Sequence, residues 1–164
     1  MAKAKTGQFY ISETIVIAGA TSGSATHDIS TFIDVANRQG LRILEADFIF
    51  QAADNTAYTP NTPRDIQVQV MDLQAALPLS ASDNSLIASG VVLFDGSNGV
   101  YKDSDLYPDN FAGKGRLVVN DTIYYRVDCN TQTVDCTVRL LVEVVAISAK
   151  DFMAIALQST QSDN

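Results

Sequence analysis

Between residues 116 and 147 apolar side chains recur at every second position on either side of a short polar break. Leu117, Val119, Ile123, Tyr125 and Val127 fall on one face of the first stretch. Val134, Cys136, Val138, Leu140, Val142 and Val144 fall on one face of the second. A period of two marks half-buried strands. Folding 116–129 back on 134–147 about Gln132 and Thr133 sets Val127 opposite Val138, Tyr125 opposite Leu140 and Ile123 opposite Val142. The apolar faces coincide in that register, and a slip of one residue would separate them. A central antiparallel hairpin is therefore predicted. The same register sets Cys129 opposite Cys136, within disulfide range. Two readings stay open for the pair, a disulfide and two small buried hydrophobes.

Upstream the same period appears in shorter pieces. In 9–18, Phe9, Ile11, Ile15 and Ile17 share a face that Glu13 interrupts, which predicts a bulge or an exposed strand end there. Residues 19–25 are small and read as a turn. Residues 28–36 satisfy both the strand and the helix period, and their β-branched content favours a strand. Residues 41–51 form a strand with Leu44, Ala46, Phe48 and Phe50 on one face and Leu41, Ile43 and Ile49 on the other. Residues 52–64, with prolines at 60 and 63, read as a surface loop. In 65–71, Ile66, Val68 and Val70 alternate with Gln67 and Gln69, a strand with one wet face. Residues 72–77 fit a single helical turn stopped by Pro78, and 86–94 a strand with Gly90 as its bulge or close-approach site. The polar, Gly-rich stretch 95–114 is long for an idle loop and is more often functional or interfacial. Ser148, with Asp151 three residues on, caps a helix over 149–158 whose stripe is Phe152, Ile155 and Ala156. Seven or eight strands at this spacing predict an all-β antiparallel β-sandwich with a short C-terminal helix. The organisation is an arm over 1–8, the sandwich over 9–148, and helix and tail over 149–164.

Composition narrows the function classes. The chain has 164 residues, one domain's worth, and 46% hydrophobic with 18% charged residues argues for a packed core rather than disorder. A net charge of −8 argues against a nucleic-acid surface, which needs clustered Lys and Arg. Lys3 and Lys5 are the only local basic cluster and read as a solubilising tail. Residues 1–8 are polar and the apolar run 14–20 is too short for a secretory signal. No stretch approaches the ~18 apolar residues of a membrane span. The single histidine, His27, sits in a turn-like Ser-Ala-Thr-His-Asp context and lacks the partners that histidine catalysis or metal binding needs. No catalytic residue is identified, and no enzyme is expected. Asp103, Asp105 and Asp109, with Asn110, form an oxygen-rich loop cluster that suits Ca²⁺ in chemistry but lacks EF-hand spacing. A solvated loop is its plainer reading, and no cofactor is otherwise expected. The strand aromatics read as core rather than as a sugar site, and there is no Trp to stack on a sugar.

Leu141, Val145 and Ile147 form a second apolar face on the last strand, which the terminal helix or a neighbouring subunit must cover. Tyr101 and Tyr107 in the long loop join these three as subunit-contact candidates. Eight or so short strands, long loops, the pieces Asp28-Ile29-Ser30-Thr31-Phe32-Ile33 and Leu41-Arg42-Ile43-Leu44-Glu45-Ala46-Asp47-Phe48, and a closing strand over 138–147 carry a resemblance. The chain resembles the single jelly-roll capsid proteins of icosahedral viruses. That resemblance implies a jelly-roll type sandwich and a non-enzymatic structural subunit of the virion. It also implies self-assembly into a shell, with copies of itself and other virion proteins as partners. The basic arm of many genome-contacting capsid proteins is missing, which implies no direct nucleic-acid binding and contact instead with an underlying membrane or protein. The alternatives are a carbohydrate-binding β-sandwich and a tail or fibre subunit.

Overall fold

The computed structural model describes residues 3–17, 22–52, 64–95, 100–103, 111–129 and 134–160. Ten strands lie along them: β1 (Lys3–Ala4), β2 (Phe9–Ile17), β3 (Ser22–Asp28), β4 (Gln39–Ala52), β5 (Arg64–Met71), β6 (Leu86–Asp95), β7 (Val100–Asp103), β8 (Arg116–Val118), β9 (Thr122–Cys129) and β10 (Val134–Ala146). One helix, α1 (Ala149–Thr160), follows. The strands build two antiparallel sheets. The first runs β2-β10-β4-β8, with β1 continuing the β2 edge of β10. The second runs β3-β9-β5-β6-β7. Strands consecutive in sequence mostly change sheets: β2 to β3, β3 to β4, β4 to β5, β7 to β8, β8 to β9 and β9 to β10. Such a double-sheet order is the jelly roll, and the chain is a jelly-roll type antiparallel β-sandwich with a short C-terminal helix.

This order corrects the predicted hairpin. The stretch 116–129 is two strands rather than one: β8 pairs with β4 in the first sheet, and β9 pairs with β3 and β5 in the second. β10 lies in the first sheet between β2 and β4. β9 and β10 are therefore not ladder partners. Their predicted inner faces nonetheless hold. Ile123, Tyr125 and Val127 of β9 and Val138, Leu140 and Val142 of β10 are all buried in one core. Alternation shows which side chains leave water, and two strands facing each other across a sandwich satisfy it as well as two sharing a ladder.

Bulges re-aim two strands. Leu141 pairs with Glu45 but Val142 with Ile43, so Leu44 is an extra residue in β4. An extra residue inverts the alternation. Leu41 and Ile43 before it and Ala46 and Phe48 after it are consequently all buried, although they were expected on opposite faces. On β6 the extra residue is Ile87, since Val70 pairs with Ala88 and Met71 with Leu86. Gly90, expected as a bulge or close-approach site, is not the bulge and pairs in register with Val68. β2 is also unbroken at Glu13, which pairs with Val138.

Three local readings change. Residues 22–25, expected as the end of a small-residue turn, belong to β3. The stretch 28–36 is not a strand, because the Asp28 carboxylate accepts the Ser30 N–H at 2.8 Å and starts a 3-10 turn, Ser30–Phe32. Gly40 is a site of close approach in β4, where an added Cβ would lie 2.7 Å from Ile147 Cδ1 and 2.9 Å from the Val118 carbonyl. The terminal helix forms as expected: Ser148 Oγ accepts the Asp151 N–H at 3.2 Å and donates to the Asp151 carboxylate at 2.8 Å.

Candidate assembly surfaces

The outer face of the first sheet is divided in two. At one end Val145 is fully buried and Ile147 nearly so, in a small cluster with Val119 and Phe152 against which Leu117, Ile155 and Ala156 pack. Of the two covers expected for the strip, the chain's own helix or a neighbouring subunit, the helix covers this part. The phase of α1 decides this, since positions three and four apart bring Phe152, Ile155 and Ala156 onto one face. Beside the cluster the Arg42 guanidinium donates to the Glu143 carboxylate, a cross-strand pair on adjacent β4 and β10. At the other end Leu141 is half-buried and its ladder neighbour Tyr10 is exposed, with the Arg139 guanidinium 4.7 Å above the Tyr10 ring centre. Thr14 and Thr137, paired across the ladder, share a hydrogen bond at 2.9 Å, and Val16 is exposed.

The outer face of the second sheet carries a surface that the alternation alone did not reveal. Gln69 of β5 and Arg126 of β9 are ladder partners. The stretch between β5 and β6 folds over them, so Gln69, expected on a wet face, is 2% exposed. Its amide donates to the Leu79 carbonyl and accepts the Leu79 N–H, both at 2.8 Å, as a neighbouring strand would. Arg126 donates to the Ala76 carbonyl at 2.6 Å and to the Asp128 carboxylate at 2.7 and 2.8 Å. Asn120 donates to the Asp72 carbonyl at 2.6 Å, and Arg116 to the Asn84 carbonyl. Residues 72–77, expected as a single helical turn, are not helical. The stretch carries Leu73 and the largely exposed Leu77 outward, around a groove of about 430 Å³.

Asp72, at the root of this stretch, is buried, and burial pushes its carboxyl up to about 6 against the opposing pull of Arg116. His27 is on β3, half-buried, with Nδ1 3.4 Å from Glu13 Oε2 on β2; the pair links the two sheets along one side. The Tyr125 hydroxyl, buried nearby, is raised by burial and then by Glu13. Cys129 and Cys136 are both buried on strands of opposite sheets and are not joined by a disulfide; the shared ladder that suggested one does not exist. Of the remaining candidates, Tyr101 and Asp103 lie on β7 by backbone position, while their side chains, and all of Asp105, Tyr107 and Asp109, lie outside the described residues. Among the described residues no group of three His, Cys, Asp or Glu side chains is placed to hold a metal, and no helix is long and apolar enough to cross a membrane.

No protein-family model matches the sequence, and no curated protein matches it. Solved structures do. VP1 of Trichodysplasia spinulosa-associated polyomavirus, in complex with GM1 oligosaccharide, superposes with a TM-score of 0.52 at 8% identity, over 87% of this chain and 97% of that one. A chain from Desmodium yellow mottle tymovirus is 12% identical over 87% of this chain and 90% of that one, with a TM-score of 0.39. One from the extra small virus of the giant freshwater prawn Macrobrachium rosenbergii, in a virus-like particle, is 12% identical over 87% and 82%, at 0.31. Of these three, only the VP1 superposition is close enough to bear on the fold. Together with the double-sheet order described above, it makes this chain similar in fold to viral capsid proteins.

Proposed function

We propose that this chain is a non-enzymatic structural subunit of a virus particle, a capsid protein that self-assembles into a shell beside other virion proteins. The observation that carries this reading is the double-sheet strand order together with its superposition on VP1 over nearly the whole of both chains. The acidic balance fits a shell that does not grip nucleic acid and rests instead on another protein or a membrane. Leu141 beside Tyr10 on the open end of the first sheet, and Tyr101 and Tyr107 in the 95–114 stretch, are the proposed contacts between subunits. Val145 and Ile147 serve indirectly by seating α1. A Ca²⁺ ion at Asp103, Asp105 and Asp109 would bridge or stiffen that stretch, and chelator would then alter assembly.

Negative-stain electron microscopy of the purified protein tests the proposal. Closed particles of uniform size are the expected result. A strictly monomeric protein at high concentration and physiological salt would overturn it, and open filaments or trimers would favour a fibre subunit. Carbohydrate binding is the second reading, favoured by the oligosaccharide carried by the VP1 complex and by the use of jelly rolls in lectins. A glycan-array signal from protein that does not assemble would favour it.

A further inference from the structure

The stretch between β5 and β6 combines three features that the fold itself does not require. It is apolar: residues 73–82 read Leu-Gln-Ala-Ala-Leu-Pro-Leu-Ser-Ala-Ser, without one charged residue in a chain of net charge −8. It is exposed, with Leu77 at 73% and Leu73 at 36%. It is also held in place from below, by the two Gln69 bonds to Leu79, by Arg126 to Ala76, and at its two ends by Asn120 to Asp72 and Arg116 to Asn84. A surface loop with no task has no need of a nearly buried glutamine spent on its backbone. A loop that must present apolar side chains in one geometry does, because ordering it beforehand removes an entropy loss from binding.

We infer that residues 73–82 are a self-association contact, in which Leu77 and Leu73 of one copy seat against a second copy of this chain. The choice of partner follows from charge. Two copies with a charge of −8 each repel wherever carboxylates meet, and least where a surface carries no charge. A basic protein would be drawn to the acidic surface and a nucleic acid to Lys and Arg, and this stretch offers neither. The inference rests on the self-assembly reading for the existence of copies, and adds to it a contact that the outer strip of β10 does not supply.

The test compares the full-length wild type with Leu77→Asp and Met153→Asp by sedimentation velocity and light scattering across a concentration series. Met153 is also exposed, on α1, and controls for added charge alone. Leu77→Asp is expected to raise the concentration at which association begins at least tenfold with an unchanged Tm, while Met153→Asp leaves it near the wild-type value. Leu77→Asn, which adds no charge, repeats the measurement should the aspartate variant fail to fold, and is expected to weaken association in the same direction. Association of a folded Leu77 variant at the wild-type concentration would overturn the contact and leave the shell reading standing. Equal weakening by Met153→Asp would assign the effect to charge and overturn it too. A wild type that never associates would overturn both.

Discussion

Asp72 shows how one side chain sets a pH response. Its carboxyl rises from an ordinary 3.8 to about 6 on folding, chiefly by burial. A raised carboxyl pKa means that the folded chain holds the proton more tightly than the unfolded chain. Stability from this group is therefore greatest below its ordinary value and is lost as pH rises towards and past 6. Two units correspond to about 3 kcal/mol at most. Asp72→Asn should raise the Tm at pH 7 and flatten its dependence between pH 4 and 6. A Tm lowered at pH 7 but unchanged at pH 3 would show that attraction to Arg116 outweighs burial. The cysteines give a second prediction. Burial pushes the Cys136 thiol up to about 12, and no disulfide joins it to Cys129. Without reductant, alkylation should be slow in the native protein and reach two adducts after denaturation; a mass two units light with no adducts would contradict this.

At the scale of the element, α1 is the piece whose placement matters most for assembly. Its cap satisfies the Asp151 N–H, and its stripe closes over Val145 and Ile147. Ser148→Ala should destabilise by about 1 kcal/mol through loss of the cap. Phe152→Ala, at a side chain 6% exposed, should cost about 3–5 kcal/mol and uncover the strip beneath. Urea unfolding measures both. A Phe152→Ala cost below that of the cap would mean that the helix is not docked as described. Leu140 and Phe152 illustrate what was legible at this scale. The inward side of β10 and the stripe and cap of α1 all follow from local spacing and all hold. The ladder partners of β10, β2 and β4, did not follow, because any strand with a matching apolar face is an equal candidate.

At the scale of the whole molecule, the net charge of −8 governs how copies approach. Association should strengthen as ionic strength rises from about 0.01 M to 0.15 M, over which the screening length falls from about 30 to about 8 Å. Light scattering that falls over the same range would indicate that opposite-charge contacts dominate instead. The screened repulsion places the burden of specificity on uncharged surface. Among the described residues the 73–82 stretch is such a surface.

The division between chain and fold runs along the range of the forces involved. Period-two alternation, the Ser148 cap and the acidic balance are properties of neighbouring residues. They were enough for an all-β sandwich, for the inner faces of β2, β5, β9 and β10, and for the terminal helix. Contacts between residues far apart in the chain decided the rest. The change of sheet between β9 and β10 kept Cys129 and Cys136 out of a common ladder. The extra residue at Leu44 turned both halves of β4 inward, and only a pairing partner can expose a bulge. The docking of α1 converted Val145 and Ile147 from expected interface to interior. Gln69 read as one more wet residue in an alternating strand. Its burial depends on Leu79 lying over it, a tertiary hydrogen-bonding arrangement that spacing along the chain does not encode.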